Sequence, residues 1–507
     1  MSGAASLGLA DLANELLDEI ASYLDQGDVY AFVLICRKTR DSGYNVLYRS
    51  YTNLDPARPF SLFLRTISAR PDLAGNIRSL QIRGWDTEGD CFDKHWKSAQ
   101  RNLHRSYDAR VRLAEETYNT KPRDMDLLGR YLEISKAFNL MTPALWNELL
   151  SSPIFYRGWS PSSAVESVDQ YQLARSLWDD AEEGHLLLIL SLVPSLRFLH
   201  VQGMRYYPKM LNWNYFCHRN TRLFQRLEIL SATRDVSYGW CCPDETFDNL
   251  LLRCATNANS LSHINLEKVG TFLQTLYRSF RHEWHPSTSV RTLSFRDMSV
   301  PLEFLRKKTT HGVLEKFELV IYRYASICWH NDPIVTSEII RCLLPSKASL
   351  VHLCLEIVPM YQDVTSPIIP GLAAYIANFD QLLSLHIDIW TLFILSGHDV
   401  KYARCTLDGP SNVDISQVLR EQVPSSLEFL RLVGIHGDIF MILFSLVALM
   451  QDGVFTELKR IALEFGCTRR ETSSDNERRI ETGLRELGVD VMFSYSTDYV
   501  SGDFEHH

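Results

Sequence analysis

A short apolar pattern recurs along this chain from residue 77 onward: an apolar residue, two of any kind, an apolar residue, one of any kind, and a third apolar residue. The alternation at its end predicts a short strand with one buried face. After the second copy, the steps between starts range from 24 residues (290 to 314) to 45 residues (382 to 427). The copies begin at residues 77, 196, 224, 261, 290, 314, 350, 382, 427 and 458.

Helical patterns lie between these strands. Asp244 and Asp414 are placed to cap helices, and residues 439–450 are apolar nearly all round, as in a helix packed between neighbours. One strand and one helix at this period is typical of leucine-rich repeats. The asparagine ladder of regular repeats is mostly missing, so we predict an α/β fold: an irregular leucine-rich-repeat-like solenoid with parallel strands and outer helices. A doubly wound α/β domain is the alternative.

The first two copies, at 77 and 196, are too far apart for one repeat. The interval between them is predicted to be a mostly helical insertion. The signs are apolar residues at helical spacing from Leu103 to Tyr118, a helix start at Thr142-Pro143 and a helix through Tyr171 and Trp178. The insertion is either packed on the solenoid or a separate partner-binding module. The predicted division is 1–50 helical hairpin, 51–85 first solenoid unit, 86–190 insertion, 191–495 solenoid and 496–507 flexible tail.

The hairpin at residues 9–48 has apolar positions at helical spacing on two short helices. Leu16, Ile20 and Leu24 make one stripe, and Val29, Phe32 and Cys36 make the other. Asp28 is the predicted N-cap of the second helix, and Gln26-Gly27 is predicted to end the first. About 40 residues rarely supply a sufficient core, so this segment is expected to lean on a partner or on the rest of the chain.

This segment resembles an F-box, on Leu12, Glu15-Leu16, Ile20, Leu24, Asp28-Val29, Ile35-Cys36-Arg37 and Leu47. It departs from the motif at Ala13, where a proline is usual, and at Thr39, where a tryptophan is usual. An F-box followed by a divergent leucine-rich-repeat-like region is similar to the F-box proteins of filamentous fungi. The resemblance implies a substrate receptor of a Skp–cullin–F-box (SCF) ubiquitin ligase.

Such a receptor docks on a Skp-type adaptor, and through it on a cullin, while the solenoid holds an unknown protein substrate. The resemblance places adaptor binding on one set of residues: Leu12, Leu16, Ile20, Leu24, Val29, Phe32 and Cys36. The alternative is a protein-interaction scaffold outside any ligase, in which the hairpin only caps the end of the solenoid.

Composition limits the other functions. The formal net charge is −9 over 507 residues, and no basic patch is present, which argues against nucleic-acid binding. The longest apolar stretches are too short to span a bilayer, so no membrane partner is expected. Eleven scattered cysteines and the lack of a secretory signal favour an intracellular protein, cytoplasmic or nuclear.

Substrate contacts are expected from two groups of residues. Histidines at outward strand positions suit a polar protein surface, and aromatics in the loops that leave the strands are common interface anchors. Solvation of the strand face and aromatic packing between uneven repeats are the alternatives. The candidates are His200, His263, His352 and His386 on strands, and Tyr206, Trp240, Tyr322, Trp329 and Trp390 in loops.

No motif in the sequence indicates catalysis. His282 and His285 lack a third metal ligand at a suitable spacing, and Cys241-Cys242 with Cys254 lacks a Cys-x-x-Cys pair. Phosphate-binding glycine loops and G-x-S-x-G elbows are missing from the sequence. We therefore predict a non-catalytic chain with no cofactor and no metal. A hydrolase within an α/β domain is a weaker option.

Overall fold

The structure is a computed structural model of the full chain. It describes residues 8–53, 60–83, 125–142, 165–178, 181–202, 211–233, 254–255, 258–267, 289–321, 336–357, 376–396, 414–434, 438–465 and 474–495, apart from residues 212, 221, 299 and 301. The chain divides into two compact units, Met1–Leu261 and Ser262–His507.

The first unit begins with three short helices. A 3-10 turn at Leu9–Asp11 precedes α1 (Asn14–Tyr23), α2 (Gln26–Val33) and α3 (Arg37–Leu47). We call residues 9–48 the helical cassette. Its small core is formed by Leu17, Ala21 and Phe32, with Leu9, Leu12, Ile20, Leu24 and Val46 packed around them.

The second helix begins before Asp28, so the predicted N-cap is wrong. The cap is Asp25, whose carboxylate accepts the Asp28 backbone N–H at 2.8 Å. Asp28 lies in the first turn, where a negative charge is favourable next to the helix N-terminus. Gln26 and Gly27 begin α2 instead of ending α1, which already stops at Tyr23.

Close packing of α3 on α2 depends on Gly43. A Cβ at this position would clash with the side chain of Val33 and lie 3.2 Å from Phe32 Cδ1.

Thr39 fixes the start of α3: its hydroxyl accepts the Cys36 N–H at 3.1 Å, and its own N–H donates to Cys36 Sγ at 3.5 Å. Thr39 therefore has a local capping role at the position where the sequence departs from the F-box motif.

Four parallel strands and six further helices complete the described part of the first unit. The strands pair in chain order, and their buried rows align: Leu80, Leu199 and Leu230 are in direct register. The elements are β1 (Ser50–Asn53), α4 (Phe60–Ala69), α5 (Pro71–Asn76), β2 (Ser79–Arg83), α6 (Met125–Ala137), α7 (Val165–Trp178), α8 (Glu182–Leu192), β3 (Phe198–Gln202), α9 (Trp213–Arg219) and β4 (Ile229–Thr233).

The interval between the first two apolar copies contains α6, α7 and α8. Helix α8 is buried on all sides and packs against α4, α6 and α7. Arg83, at the end of β2, forms an ion pair with Glu182 at 2.8 Å, which ties α8 to the sheet. The helix expected from Leu103 to Tyr118 and the helix start at Pro143 lie outside the described residues.

The second unit continues the same plan with eight described strands, each parallel to the next in chain order. Its strands are β5 (His263–Glu267), β6 (Thr292–Arg296), β7 (Lys316–Ile321), β8 (His352–Ile357), β9 (Ser384–Asp388), β10 (Phe429–Gly434), β11 (Arg460–Phe465) and β12 (Asp490–Tyr495). Its helices are α10 (Leu302–Thr309), α11 (Thr336–Leu343), α12 (Ile389–Leu395), α13 (Ile415–Gln422), α14 (Asp438–Gln451) and α15 (Ser474–Glu486).

Consecutive strand order separates the two fold alternatives. A doubly wound sheet reverses its order at a switch point, whereas each unit here adds strands in one direction. The protein is therefore α/β, with parallel strands and helices in a solenoid-like arrangement.

Among the helices that the structure describes, none combines the length and apolarity that a membrane span requires.

Lys308 is an unusual member of the second unit's interior, because its side chain is 1% exposed. Burial lowers the pKa of its ammonium from the ordinary 10.5 to about 8. The unfolded chain therefore binds this proton more tightly, so stability is reduced at all pH values below about 8 and recovers as pH rises towards 10.5.

We expect Lys308→Met to raise the free energy of unfolding at pH 7 by up to about 3 kcal/mol, since methionine removes the cost of burying a charge. The advantage shrinks between pH 8 and pH 10.5. Urea unfolding at pH 7 and pH 10 measures it, with the half-buried neighbour Lys307→Met as the control. Equal stability of Lys308→Met and the original protein at both pH values would contradict the prediction.

Candidate functional site

The helical cassette exposes a concentration of large apolar side chains. Twelve such side chains are exposed among the described residues, and five of them lie between residues 16 and 35. A soluble surface normally scatters its exposed apolar residues, and their concentration in one short segment is typical of protein contact sites. The five residues, which we call the apolar surface, are Leu16, Tyr23, Tyr30, Leu34 and Ile35.

Two helices shape this surface. On α1, Leu16, Ile20 and Tyr23 follow the i, i+4, i+7 spacing of one face, while Leu17 and Ala21 turn into the core. Tyr30 of α2 and Leu34 just beyond it are one helical turn apart, on the side of α2 opposite its buried residues.

A groove of about 430 Å³ adjoins Tyr30 and Leu34. Its walls are both apolar and basic: Tyr30, Val33, Leu34, Cys36, Arg37, Arg40, Tyr44, Leu47 and Tyr48. The cassette therefore has exposed apolar side chains on α1 and α2 and, next to Tyr30 and Leu34, a groove with two arginines.

The structure divides the predicted adaptor-binding residues into three groups. Val29 and Phe32 are 1% and 4% exposed, so they form the inside of the cassette and present no surface. Leu12, Ile20, Leu24 and Cys36 are half-buried, and Leu16 is 49% exposed. The prediction that all seven share one contact face is wrong for Val29 and Phe32, because the cassette uses them as its own core.

The sequence prediction missed Tyr23, Tyr30, Leu34 and Ile35. A usable signal exists for two of them, since adjacent apolar residues such as Leu34 and Ile35 cannot both face one core. Tyr23 and Tyr30 are 81% and 59% exposed, and their aromatic rings are of the kind that anchors protein interfaces.

The predicted substrate-binding residues are only partly described. Tyr206, Trp240, Tyr322 and Trp329 lie outside the described residues. The predicted loop position of Trp390 is wrong, because this residue belongs to α12, which begins directly after β9. His200 lies on β3 in the first unit, with Nδ1 3.0 Å from Ser231 Oγ, and burial lowers its pKa. The other three histidines, His263, His352 and His386, lie on strands of the second unit, and His263 is exposed.

A row of polar side chains crosses five strands of the second unit in direct register. Each member pairs with the next across neighbouring strands from β6 to β10, and each occupies a position that alternates with buried apolar residues. We call it the polar row: Ser294, Glu318, Cys354, His386 and Arg431. Beside the row, His352 of β8 lies next to His386, with ring centroids 4.7 Å apart.

Glu318 is the most strongly held carboxylate of the row. His352 Nε2 lies 3.5 Å from its Oε1, Lys316 Nζ lies 2.8 Å from the same oxygen, and the Ser294 hydroxyl donates to Oε2 at 2.9 Å. The imidazole of His352 and these two groups hold the pKa of Glu318 well below its ordinary value. Glu318 is therefore a fixed negative charge at neutral pH.

His386 is a neutral neighbour of this charge. Burial, reinforced by His352 and Arg431, lowers its pKa to about 3. Its ring stacks edge-on against both His352 and Phe429. At neutral pH the imidazole can donate one hydrogen bond and accept another, but it carries no charge that would attract a charged partner.

Ser384, His352 and Glu318 lie in the order hydroxyl, imidazole, carboxylate. Ser384 Oγ is 3.0 Å from His352 Nδ1, and the other ring nitrogen faces Glu318. Nucleophilic catalysis also needs backbone N–H groups directed at the reacting oxygen. The Ser384 N–H donates to Val351 O at 3.0 Å within the strand ladder, so this N–H is not directed at a reacting oxygen.

Cys354, Glu356 and His386 could hold a metal ion, because their donor atoms all lie within 4.8 Å of one another. Two contacts compete with such a role. Arg431 Nη1 lies 3.3 Å from Glu356 Oε1, and the Cys354 thiol donates to the same carboxylate at 3.7 Å. Burial raises the pKa of that thiol, which keeps it protonated rather than in the thiolate form that metals bind.

The comparisons with known proteins give only a remote likeness. No protein-family model matches this sequence, and no curated protein matches it. A structural-genomics crystal structure of a protein from Bacteroides fragilis is similar to 59% of the chain, at 12% identity and a TM-score of 0.29. The match covers 65% of that protein, less than two thirds of its length. A likeness this distant supports no statement about family or function.

Proposed function

We propose that this protein is the substrate-recognition subunit of an SCF-type ubiquitin ligase. The observation that carries the proposal is the apolar surface, formed within the very segment that resembles an F-box. A cassette that kept its apolar residues for the rest of the chain would not leave Leu34 68% exposed and Tyr23 81% exposed. The proposed partner of this surface is a Skp-type adaptor, which bears the cullin.

The apolar surface alone supplies too little binding energy for a stable complex. Burying a large apolar side chain is worth about 1.5–3 kcal/mol, and the five residues of the apolar surface are about half exposed or more. Their partial burial would give roughly 5–8 kcal/mol, against which association and ordering costs must be set. The adjoining groove must therefore contribute, and Arg37 and Arg40 there favour an acidic partner.

The proposed substrate surface is the polar row with its neighbours. Carboxylates and cations alternate there: Glu318 lies beside Lys316, and Glu464 lies beside Arg431. A face of both signs matches a polar peptide or protein surface better than the uniformly negative backbone of a nucleic acid. In this proposal the chain catalyses nothing itself and acts by holding its substrate close to the ligase.

Affinity purification of the full chain from native extract tests the proposal. We expect a Skp-type adaptor and a cullin to be recovered together, at stoichiometric amounts. Recovery of other partners with neither of these proteins would instead support the scaffold alternative, in which the cassette only caps the solenoid.

A further inference from the structure

Three neighbouring strands of the first unit are each preceded by an arginine. Arg49, Arg78 and Arg197 stand directly before β1, β2 and β3. Their backbones are equivalent in the ladder: Arg49 O accepts the Arg78 N–H at 2.8 Å, and Arg78 O accepts the Arg197 N–H at 2.8 Å. Neighbouring strands are about 4.8 Å apart, so the three residues form a row about 10 Å long.

These arginines line one pocket. It has a volume of about 340 Å³, and its remaining walls are Asn45 at the end of α3 and Asn76 at the end of α5. The two amides are joined, with Asn76 Nδ2 donating to Asn45 Oδ1 at 2.8 Å. Among the described residues, the pocket is therefore lined by arginines and asparagines alone.

The described part of the chain balances only one of the three positive charges in this pocket. There, no carboxylate forms an ion pair with Arg49 or Arg78, and Arg197 shares Glu228 at 3.3 Å in an exposed pair. Partial burial and the repulsion of Arg197, Arg226 and Arg49 lower the pKa of Arg78. Gathering like charges costs free energy, which an anion in the pocket would recover.

Helix capping accounts for only part of this arrangement. Arg78 Nη1 donates to Gly75 O at 2.9 Å, near the end of α5, where a cation is favourable. That bond uses one of the five N–H donors of a guanidinium. It gives no reason for Arg49 and Arg197 to stand in the same row.

We propose that this pocket binds a phosphate monoester group. Guanidinium forks match phosphate oxygens in pairs, and neighbouring arginines about 5 Å apart can share one phosphate. A dianion also neutralises two of the three charges. A nucleotide and a phosphorylated amino-acid side chain both present this chemistry, and the site does not depend on the proposed docking of an adaptor.

Calorimetric titration of the full chain tests the site, with adenosine 5′-monophosphate and O-phosphoserine as probes and adenosine and serine as their unphosphorylated counterparts. We expect phosphate-dependent binding that weakens as salt is raised. Arg49→Gln and Arg78→Gln should each weaken it by about tenfold or more, because each removes a charge-assisted hydrogen bond. The matched control Arg65→Gln removes an exposed arginine of α4 outside the pocket and should leave binding unchanged.

Each result is decisive. Binding of one probe or both, lost in Arg49→Gln and retained in Arg65→Gln, supports the site and identifies the source of the phosphate. Within the described residues the Arg49 side chain makes no capping bond like that of Arg78, so Arg49→Gln remains informative even if Arg78→Gln fails to fold. The proposal is overturned if neither phosphate binds better than its counterpart, or if Arg65→Gln weakens binding as much as Arg49→Gln does.

Discussion

Leu16→Asp combined with Leu34→Asp is expected to abolish co-purification of the Skp-type adaptor while the protein stays folded. Both side chains are exposed, at 49% and 68%, so aspartate costs the isolated protein little. In the complex each carboxylate would be transferred from water into an apolar contact, at a cost of several kcal/mol. At 1.4 kcal/mol per factor of ten, two such charges reduce the affinity by more than about a thousandfold.

The control is Leu62→Asp, which places the same charge on an equally exposed leucine of α4 outside the apolar surface. We expect it to leave adaptor recovery unchanged. Thermal melting and circular dichroism of all variants confirm that the fold is kept. If the doubly substituted protein recovers the adaptor as well as Leu62→Asp does, the apolar surface is not the docking site.

A substitution at Leu24 would be a poorer test, although the sequence alone suggests it. Leu24 is half-buried against Leu17, Ala21 and Phe32, so a charge there would disrupt the cassette itself. Loss of the adaptor would then have two explanations. The structure is what separates residues that hold the cassette together from residues that are left for a partner.

All the strands except β1 were predictable wherever they carry their own local signal of alternating apolar residues. The alternation in Leu199 and Val201 or Leu385 and Ile387 specifies a strand with one buried face, and these residues are buried in the structure. Strand β1 was missed because Ser50–Asn53 has only one fully buried residue, Asn53, which is polar. The alternation rule finds apolar faces, and this strand does not have one.

The polar row could not be predicted as a site, because its members are far apart in sequence. Ser294 and Arg431 belong to strands separated by more than a hundred residues, and only the register of the intervening strands aligns them. Sequence reasoning placed His352 and His386 on outward positions but could not give the strand register that brings them to Glu318 and Cys354. Register depends on the lengths of loops and helices, which vary in this irregular array.

Arg431→Met is expected to destabilise the second unit by about 3–5 kcal/mol, the usual cost of leaving a buried charge without its partner. Arg431 lies between two carboxylates, with Nη1 3.3 Å from Glu356 and Nη2 in contact with Glu464. The side chain of Glu356 is only 2% exposed, so water cannot replace the lost guanidinium. Hydrogen exchange of the amides in β8–β10 measures the change locally.

Two further variants identify the cause of that loss. Arg291→Met breaks an ion pair whose members are 61% and 48% exposed, and we expect a change within about 0.5 kcal/mol. Glu356→Gln added to Arg431→Met removes the orphaned charge and should restore much of the stability. Additive losses in that double variant would mean that the cost comes from packing and not from charge.

The pH dependence provides an independent check of the same cause. Burial raises the pKa of Glu356 above its ordinary 4.5 even in the presence of Arg431, and loss of Arg431 raises it further. Between 4.5 and that raised pKa the folded state binds more protons than the unfolded state, so stability increases as pH falls through this window. Arg431→Met should therefore lose less stability at pH 5 than at pH 7. A cost that is equal at both pH values would show that Glu356 is not the group left uncompensated.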